Sequence, residues 1–352
     1  MKFFVSAVLL ACAVTAAPGQ EPKDLQIDAA WRGRILDGVA QRYDSLYVFA
    51  DRGREISKQL RKPAERARYS ECGTASCLTN KLTQDLQAWS HDKHLRLVFS
   101  ATPRPMPTAT SLQGQAGTEP QELENMRRRN FGFHNVERLH GNVGLIEIGR
   151  FDPAPEAAAT LAAAMTLVAN TDTLIIDLRN NGGGRADMVA QMMSYFLPEQ
   201  THLATMKRRN PNESTQIWSA AAVQGPRYLN KPVYVLTGAR TFSAAEGLTF
   251  DLRHFAGAIV IGERTRGGAN PGSFQQLDEH FAVFVPTGEM VNQKTGKNWE
   301  GTGIEPDVAT TAALASKIAH QSALAGLLEK KPDDPRAAMW RQALDELKAG
   351  SN

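Results

Sequence analysis

The sequence predicts an α/β protein, in which an α/β core is preceded by a helical domain and followed by further helices. Short apolar runs that suit buried strands alternate with helical stretches from about residue 130 onward. Such alternation is typical of a sheet with helices packed against it. Apolar residues recur at helical spacing between residues 25 and 99, and again after residue 311.

Composition places the 352-residue chain among globular proteins, with 42% apolar and 22% charged residues. Its length suffices for one large domain and a smaller one. Forty basic and 37 acidic residues give a net charge of +3. Basic blocks do not exceed the length of Arg127–Arg129, so no nucleic-acid partner is expected.

The first residues predict export from the cytoplasm. Lys2 is followed by the apolar run Phe3–Ala13 and by small residues up to Ala16. This is the layout of a secretory signal peptide over residues 1–16. The alternative is a lipoprotein box that ends at Cys12, with lipid on that cysteine. We therefore expect a periplasmic or secreted protein, tethered to a membrane only if Cys12 is lipidated.

The other two cysteines, Cys72 and Cys77, are separated by four residues. In an oxidising compartment such a pair can close a small loop as a disulfide. Two unpaired thiols are the alternative. A zinc site is not expected, because no second pair of ligands lies nearby in the sequence.

Changes of composition divide the chain into segments. The helical domain is predicted over residues 25–100 and ends in the apolar-rich run Leu95–Phe99. Residues 101–129 are proline-rich and predict a linker or a mobile lid. The core is predicted over residues 130–310, and the C-terminal helices over residues 311–352.

Strands and helices alternate in the core. The predicted strands are Val143–Ile148, Leu174–Leu178, Val233–Leu236, Ile259–Ile261 and Ala282–Val285. The predicted helices are Glu156–Ala169, Asp187–Leu197 and Ala244–Phe255, and beyond the core Ala312–Leu328 and Arg336–Lys348.

Two junctions between a strand and a helix carry polar groups that could do chemistry. The first follows strand 174–178 and contains Gly182–Gly184. Glycine permits positive φ and close approach of the backbone, so its N–H groups can point at an anion. A flexible turn is the alternative, but the polar residues 177 and 179–181 beside the glycines favour a functional site.

The second junction follows strand 233–236, and Ser243 opens the next helix. Ser243 and Glu246 fit a capping box, which is a purely structural interpretation. The same geometry places a hydroxyl at the positive end of the helix dipole, beside free N–H groups. The N–H of Ala244 could then stabilise an oxyanion formed at Ser243. Local sequence leaves both interpretations open.

Familiar cofactor motifs are absent from the sequence. It has no His-Glu-x-x-His, no phosphate-binding loop motif, no Gly-x-Ser-x-Gly and no dinucleotide fingerprint. The eight histidines are scattered, and only His91 and His94 are close neighbours. We therefore expect neither a metal ion nor an organic cofactor.

Five segments in order along residues 141–310 connect the chain to a known family. They are Gly141–Phe151, Ile176–Gly184, Thr241–Glu246, Ile261–Gly268 and Trp299–Asp307. The chain resembles the S41 family of serine peptidases: the C-terminal-processing proteases, the tricorn core protease and the retinoid-binding interphotoreceptor protein. The resemblance implies a Clp/crotonase-like α/β core and makes Ser243 the expected nucleophile.

The expected catalytic partner differs from that of the bacterial processing proteases. Those enzymes have a lysine where this chain has Gly268, so a Ser–Lys dyad is not expected. The tricorn-like branch uses a histidine from the N-terminal region and a glutamate in a Trp-Glu-Gly segment. The resemblance thus implies His94 as general base, oriented by Glu300. A serine precedes the histidine in tricorn; here it is Lys93, which could pair with Glu300 or point into solvent.

The implied reaction is acyl transfer, with the N–H groups of Ala244, Gly183 and Gly184 holding the oxyanion. His94 and Ser243 come from different parts of the chain. We therefore expect the site between the helical domain and the core, with the two side chains in or near hydrogen-bonding range. The intervening stretch is too short for a PDZ domain, so capture of a substrate C-terminus by such a domain is not expected.

The predicted function is that of an exported serine endopeptidase with a peptide or protein substrate. The alternative is a non-catalytic protein that binds a lipid-like or retinoid-like ligand on the same fold. A third hypothesis is an envelope-bound scaffold whose C-terminal helices contact a partner. Retention of Ser243, His94 and the glycine turn favours the enzyme, since a pure binding protein needs none of them.

Overall fold

The computed structural model describes residues 24–105 and 120–349. The predicted signal peptide with Cys12 lies outside these residues, as do residues 106–119 of the predicted linker or lid. Within the described ranges, every helix is too short or too polar to cross a membrane.

The described residues form ten helices and twelve strands. The helices are α1 (Ala29–Leu46), α2 (Ala50–Arg61), α3 (Pro63–Ala67), α4 (Ala75–Ser90), α5 (Pro120–Arg128), α6 (Ala154–Val168), α7 (Ala186–Met193), α8 (Ala244–Ala256), α9 (Ala312–Lys330) and α10 (Ala337–Ala349). The strands are β1 (Arg96–Phe99), β2 (Phe133–Leu139), β3 (Val143–Ile148), β4 (Thr173–Asp177), β5 (His202–Arg208), β6 (Thr215–Trp218), β7 (Val233–Thr237), β8 (Ile259–Gly262), β9 (Gly272–Gln276), β10 (Phe281–Pro286), β11 (Gly288–Asn292) and β12 (Val308–Ala309).

The central sheet has six strands in the order β12-β8-β7-β4-β3-β2. All neighbouring pairs are parallel except β2 with β3. β4 and β7 are direct neighbours, with Asp177 opposite Leu236 at their carboxyl ends. The turns that follow these two strands therefore leave the sheet side by side, which is where open α/β sheets place their sites.

Helices cover both faces of the central sheet because side chains alternate along each strand. Ile176 and Val235 face α6, α7 and α8, whereas Ile175 and Tyr234 face α9 and α10. Burial on both faces explains why these strands are continuous apolar runs in the sequence. Every strand and helix predicted for the core and the C-terminus is present, with ends shifted by a few residues.

The run at residues 95–99, predicted as the end of the helical domain, contains a strand instead. β1 pairs antiparallel with β10, which also pairs with β9. Three buried side chains of β10 pack into the cluster formed by α1, α2 and α4: Phe281, Val283 and Val285. The N-terminal helices and the core thus share one hydrophobic cluster.

Two further features concern the N-terminal part. The sulfur atoms of Cys72 and Cys77 are joined across the start of α4. Residues 120–128, which lie in the predicted linker or lid, form α5. Strands β5, β6 and β11 make a third sheet that was not predicted, because their polar and apolar residues do not alternate clearly.

Candidate active site

The turns after β4 and β7 interlock at the carboxyl edge of the sheet. The hydroxyl of Thr241 donates to the carbonyl of Leu178 at 2.8 Å, and Phe242 N–H donates to Asn181 O at 3.1 Å. Gly183 has φ +103°, and a Cβ built there lies 2.8 Å from Ser243 Cβ. Only glycine therefore lets the first turn pass so close to the second.

Ser243 lies in a strained backbone conformation just before α8. Its φ is 57° and its ψ −121°, a region that non-glycine residues rarely occupy. The buried carboxylate of Glu246 holds it there by accepting the N–H of Ser243 at 2.8 Å. Glu246 also accepts Thr265 Oγ1 and the N–H groups of Gly267 and Gly268. This network fixes the serine against the loop at residues 265–268.

His94 comes from the connection between α4 and β1 and reaches the second turn. Its Nε2 lies 3.1 Å from Ser243 Oγ, although 149 positions separate the two residues. The imidazole is only 3% exposed and lies between the rings of Phe242 and Phe284, with centroid distances of 4.4 and 5.6 Å. The aromatic rings hold the imidazole plane in place.

Asp92 is the charged neighbour of His94. Its Oδ1 lies 3.5 Å from His94 Nδ1 and accepts the main-chain N–H of His94 at 2.9 Å. Its Oδ2 accepts the Tyr47 hydroxyl and the Asn270 amide, both at 3.1 Å. Burial alone tends to raise the pKa of Asp92, but the hydrogen bonds and the charge of His94 outweigh it and lower the pKa.

Glu300 was predicted to orient His94, but the hydrogen bonds that it accepts come from the main chain. Its Oε2 accepts the N–H groups of Ala269 and Asn270 at 2.5 and 3.2 Å. Its Oε1 and His94 Nδ1 are both buried and have no hydrogen-bond partner among the described residues. Burial, followed by the nearby charge of Asp92, raises the pKa of Glu300 to about 8. A negative charge on Glu300 is therefore disfavoured by burial and by the neighbouring carboxylate of Asp92.

The same three side chains bear on the predicted absence of a metal. One potential ligand atom each from Asp92, His94 and Glu300 lies within 4.8 Å of the others. Of the three, His94 contacts Ser243 through Nε2 and lies near Asp92 through Nδ1, and the absence of a metal stays a prediction.

Lys93 and Gly268, the two positions at which the sequence differs from the pattern that it resembles, both have contacts that account for the difference. Lys93 neither pairs with Glu300 nor points freely into solvent, because its ammonium donates to the carbonyl of Arg266. A Cβ built on Gly268 lies 2.6 Å from His94 Cε1 and overlaps the Phe242 ring. The imidazole thus occupies the space that a side chain at position 268 would need.

The predicted oxyanion donors differ in availability. Gly183 N–H donates to Asn181 Oδ1 at 2.8 Å, so it is already engaged. Ala244 is the first residue of α8, where N–H groups have no acceptor within the helix. Gly184 forms an isolated β-bridge with Phe151, and its hydrogen bonds are made by the neighbouring groups Gly183 O and Arg185 N–H. The N–H of Gly184 itself therefore faces away from that bridge.

A cleft of about 500 Å³ opens beside Ser243. Ser243, Ala244 and Gly184 line it together with apolar side chains. Four of these apolar side chains come from the strands of the third sheet: Leu203, Met206, Ile217 and Met290. A chain segment bound in this cleft contacts Ser243 and the main chain of Ala244 and Gly184.

Some residues of this site were assigned no role from the sequence. Asp92 precedes His94 by two positions, and that spacing was the available signal for it. Asn270, Phe242 and Phe284 carry no local signal, because their contacts with Asp92 and His94 form only in the folded chain.

Comparison with known proteins gives a consistent family match. A family model described as peptidase family S41 matches residues 142–310. A second model, described as the N-terminal domain of Peptidase_S41 in eukaryotic IRBP, matches residues 31–130. The second match includes Asp92 and His94, and the first includes Ser243 and Glu300.

Curated relatives are similar over part of their length. A carboxyl-terminal-processing protease of Synechocystis sp. is 30% identical over 208 residues, which are 57% of this chain and 47% of that protein. The chloroplastic carboxyl-terminal-processing peptidase 1 of Arabidopsis thaliana is 26% identical over 177 residues, 50% of this chain and 35% of that protein. The chain thus spans less than half the length of either relative.

A solved structure is similar over nearly its whole length. A lipoprotein from Streptococcus agalactiae superposes with a TM-score of 0.56 and 17% identity, covering 86% of this chain and 98% of that one. At this identity the similarity concerns the fold alone.

Proposed function

This chain belongs to peptidase family S41, and on that premise we propose that it is an exported serine endopeptidase that acts on peptides or proteins. The observation that carries the proposal is the 3.1 Å separation between Ser243 Oγ and His94 Nε2 beside the cleft. A serine hydroxyl within hydrogen-bonding range of an imidazole is one of the arrangements that activate serine as a nucleophile.

The proposed reaction has two halves. Ser243 Oγ attacks the carbonyl carbon of the scissile bond while His94 Nε2 takes the hydroxyl proton. His94 then gives that proton to the leaving amine as the C–N bond breaks, which leaves an acyl-enzyme on Ser243. A water molecule, deprotonated by His94, attacks the ester carbonyl, and the imidazolium returns the proton to Ser243 as the acid product leaves.

We assign the oxyanion donors to the N–H groups of Ala244 and Gly184. Ala244 N–H is at the positive end of α8 and beside the nucleophile, where negative charge develops on the attacked carbonyl. Gly183 contributes space rather than a donor, because its N–H is bonded to Asn181. A single donor of this type typically contributes about 100- to 1000-fold to the rate.

Asp92 is the group that we assign to the stabilisation of the His94 imidazolium. Its low pKa keeps it ionised near neutral pH, and its Oδ1 lies 3.5 Å from Nδ1. Burial and the neighbouring charge of Asp92 raise the pKa of Glu300, so a negative charge is less favourable on Glu300 than on Asp92. We therefore propose that Glu300 supports the loop at residues 269–270 and acts on His94 only through Asp92 and Asn270.

Export is the second part of the proposal. It is supported by the signal-peptide pattern of residues 1–16 and by the joined sulfur atoms of Cys72 and Cys77. A disulfide persists in an oxidising compartment and is rarely retained in the cytosol. A periplasmic or secreted location fits both observations, with lipid on Cys12 as the alternative anchor.

Covalent labelling tests the function directly. A fluorophosphonate probe is expected to label the wild-type protein and to fail with Ser243→Ala, while His94→Ala slows labelling by at least about 1000-fold. Ser273→Ala is the matched control, because Ser273 is an exposed serine of the same cleft. Digestion of a peptide library by the same proteins then gives the cleavage preference.

Two results together would contradict the enzyme hypothesis. If the intact protein takes no label, and any hydrolysis it shows survives in Ser243→Ala, then the enzyme hypothesis is wrong. In that case a non-catalytic ligand-binding role on the same fold becomes the better explanation.

A further inference from the structure

The cleft beside Ser243 contains a buried carboxylate that the proposed reaction does not use. Asp251 lies eight residues after the serine on α8 and lines the same cleft. Ser243, Gly247 and Asp251 follow each other at intervals of four residues, so they lie along one side of the helix. Eight residues of helix span about 12 Å, so Asp251 lies two turns of α8 away from the reacting centre.

Gly247 lies between the serine and Asp251 on α8 and lines the cleft with both of them. Position 247 has no side chain, and a Cβ built there lies 3.3 Å from Trp299 Cη2. A larger side chain at that position would therefore press against the Trp299 ring. The walls include the apolar side chains Met206 and Met290, which suit a long aliphatic stem that runs from the reacting centre to the carboxylate.

Asp251 is held in place but lacks a positive partner. Its side chain is 7% exposed, and its Oδ1 accepts the amide of Asn292 at 2.8 Å. Asn292 is fixed in turn, because its Oδ1 accepts the N–H groups of Lys294 and Thr295 at 3.0 Å. Burial raises the pKa of Asp251 to about 7, which is the behaviour of a carboxylate without a cation nearby.

The cations at the cleft are bonded to other groups. Arg185 pairs with Asp187 at 2.9 Å, and both are substantially exposed. Arg208 donates to Thr287 Oγ1 at 2.7 Å. Among the described residues, no lysine or arginine forms an ion pair with Asp251. A buried carboxylate that is oriented, accessible from a cleft and unpaired by the fold is arranged to receive a cation from outside.

We propose that Asp251 makes this cleft the binding site for a lysine or arginine side chain of the substrate, on the residue whose carbonyl Ser243 attacks. The aliphatic stem packs against the apolar walls and the charged end pairs with Asp251. We assign the bound side chain to the residue whose carbonyl is attacked, because the proposed oxyanion donors, Ala244 and Gly184, line the same cleft. This inference rests on the proposed serine peptidase function and names its substrate class.

Matched peptide substrates test the inference. Two fluorogenic peptides differ only at the attacked residue, lysine in one and norleucine in the other, which has a similar stem and no charge. The wild-type ratio of kcat/KM for lysine over norleucine is expected to be at least about 100, and Asp251→Asn is expected to bring it close to 1. Asp251→Glu keeps a preference for lysine, whereas Asp345→Asn, which removes an exposed carboxylate of α10, leaves the ratio unchanged.

Inhibitor competition provides a readout that does not depend on a folded variant. A peptide aldehyde that ends in arginine is expected to protect wild-type Ser243 from the fluorophosphonate at a concentration at least about 30-fold lower than its norleucine counterpart. Melting temperatures of all variants identify any that fail to fold, and for those the competition result decides.

The outcomes separate this inference from the proposed function. If the wild-type protein labels and cleaves peptides but the lysine-to-norleucine ratio and the two aldehydes are equivalent, Asp251 is a structural partner of Asn292 and the inference is wrong. The serine peptidase function then stands. Absence of both labelling and cleavage overturns the function and the inference together.

Discussion

Gly268 shows at the scale of one residue how the proposed imidazole base excludes a side-chain amine. The resemblance to the bacterial processing proteases implies a lysine at the corresponding position in those enzymes. Here the His94 ring lies where the side chain of residue 268 would begin, with Cε1 2.6 Å from the built Cβ. The two bases therefore compete for the same space, and a chain with His94 in this position requires glycine at 268.

Gly268→Ala tests this requirement. The backbone at 268 does not have positive φ, so alanine strains the site only through its Cβ. We expect displacement of the imidazole, a loss of roughly 100-fold in kcat/KM, and a loss of about 1–3 kcal/mol in stability from overpacking. The measurements are peptide hydrolysis and chemical denaturation. Wild-type activity in this variant would show that His94 does not need its observed position.

The choice between Asp92 and Glu300 is also decided by single residues. Glu300 was assigned from a motif, whereas Asp92 lies closest to Nδ1 and carries the charge. We expect Asp92→Asn to lower kcat/KM on the order of 1000-fold or more, as in other triads whose carboxylate is neutralised. Glu300→Gln is expected to change kcat/KM by less than about tenfold, because the glutamine oxygen still accepts the N–H of Ala269.

Steady-state kinetics on peptide substrates, together with melting temperatures, distinguishes the two assignments. A larger loss in Glu300→Gln than in Asp92→Asn, at equal stability, would restore Glu300 as the residue that acts directly on His94.

At the scale of elements, the site depends on two adjacent strands and the turns that follow them. β4 leads into Gly182–Gly184, and β7 leads into Ser243 and α8. Parallel pairing of β4 with β7 sets these turns side by side, and Glu246 ties Ser243 to the loop that follows β8. The strain at Ser243 is thus maintained by hydrogen bonds from three separate connections.

Two neighbouring glycines offer a controlled test of this packing. Gly183 has positive φ and no room for a Cβ, whereas Gly182 has neither restriction, with no atom within 4 Å of a built Cβ. Gly183→Ala is expected to lose about 1–3 kcal/mol of stability and to slow fluorophosphonate labelling at least roughly tenfold. Gly182→Ala is expected to leave both properties near the wild-type values. Equal effects in the two variants would contradict the proposed interlocking of the turns.

At the scale of the whole molecule, the N-terminal helices and the core form one continuous unit around the site. The Tyr43 hydroxyl donates to Phe284 O at 3.0 Å, and Trp31 Nε1 donates to Asp278 at 2.6 Å. Together with the β1–β10 pairing, these contacts attach the segment that carries His94 to the part that carries Ser243. The position of the imidazole therefore depends on the contact between the two parts.

This arrangement predicts that residues 24–105 do not fold alone. Without β10 the fragment lacks the partner of β1 and three buried side chains of its cluster. We expect the isolated fragment to show no cooperative thermal transition by near-ultraviolet circular dichroism, whereas the full chain and its Ser243→Ala variant unfold cooperatively. A cooperative transition in the fragment would identify an independent helical domain.

The sequence alone was sufficient for features that local pattern controls. Apolar runs buried on both faces predicted β3, β4, β7 and β8, and helical spacing predicted the helices that cover them. Motif order was sufficient for the family and for the candidates Ser243 and His94. The local apolar pattern was not sufficient for β1, because a short apolar run is equally compatible with a helix until β10 pairs with it.

Only the tertiary structure decided what the candidate residues do to one another. The distance from His94 to Ser243, the low pKa of Asp92 and the raised pKa of Glu300 depend on burial and on neighbours remote in sequence. The same is true of Asp251, which has the sequence pattern of an ordinary helical residue and is placed in the same cleft as Ser243 only by the fold. Periodicity and motifs report on residues that are close together in the sequence. Electrostatic interactions and packing join residues that are close only in space, so they exist only once the chain has folded.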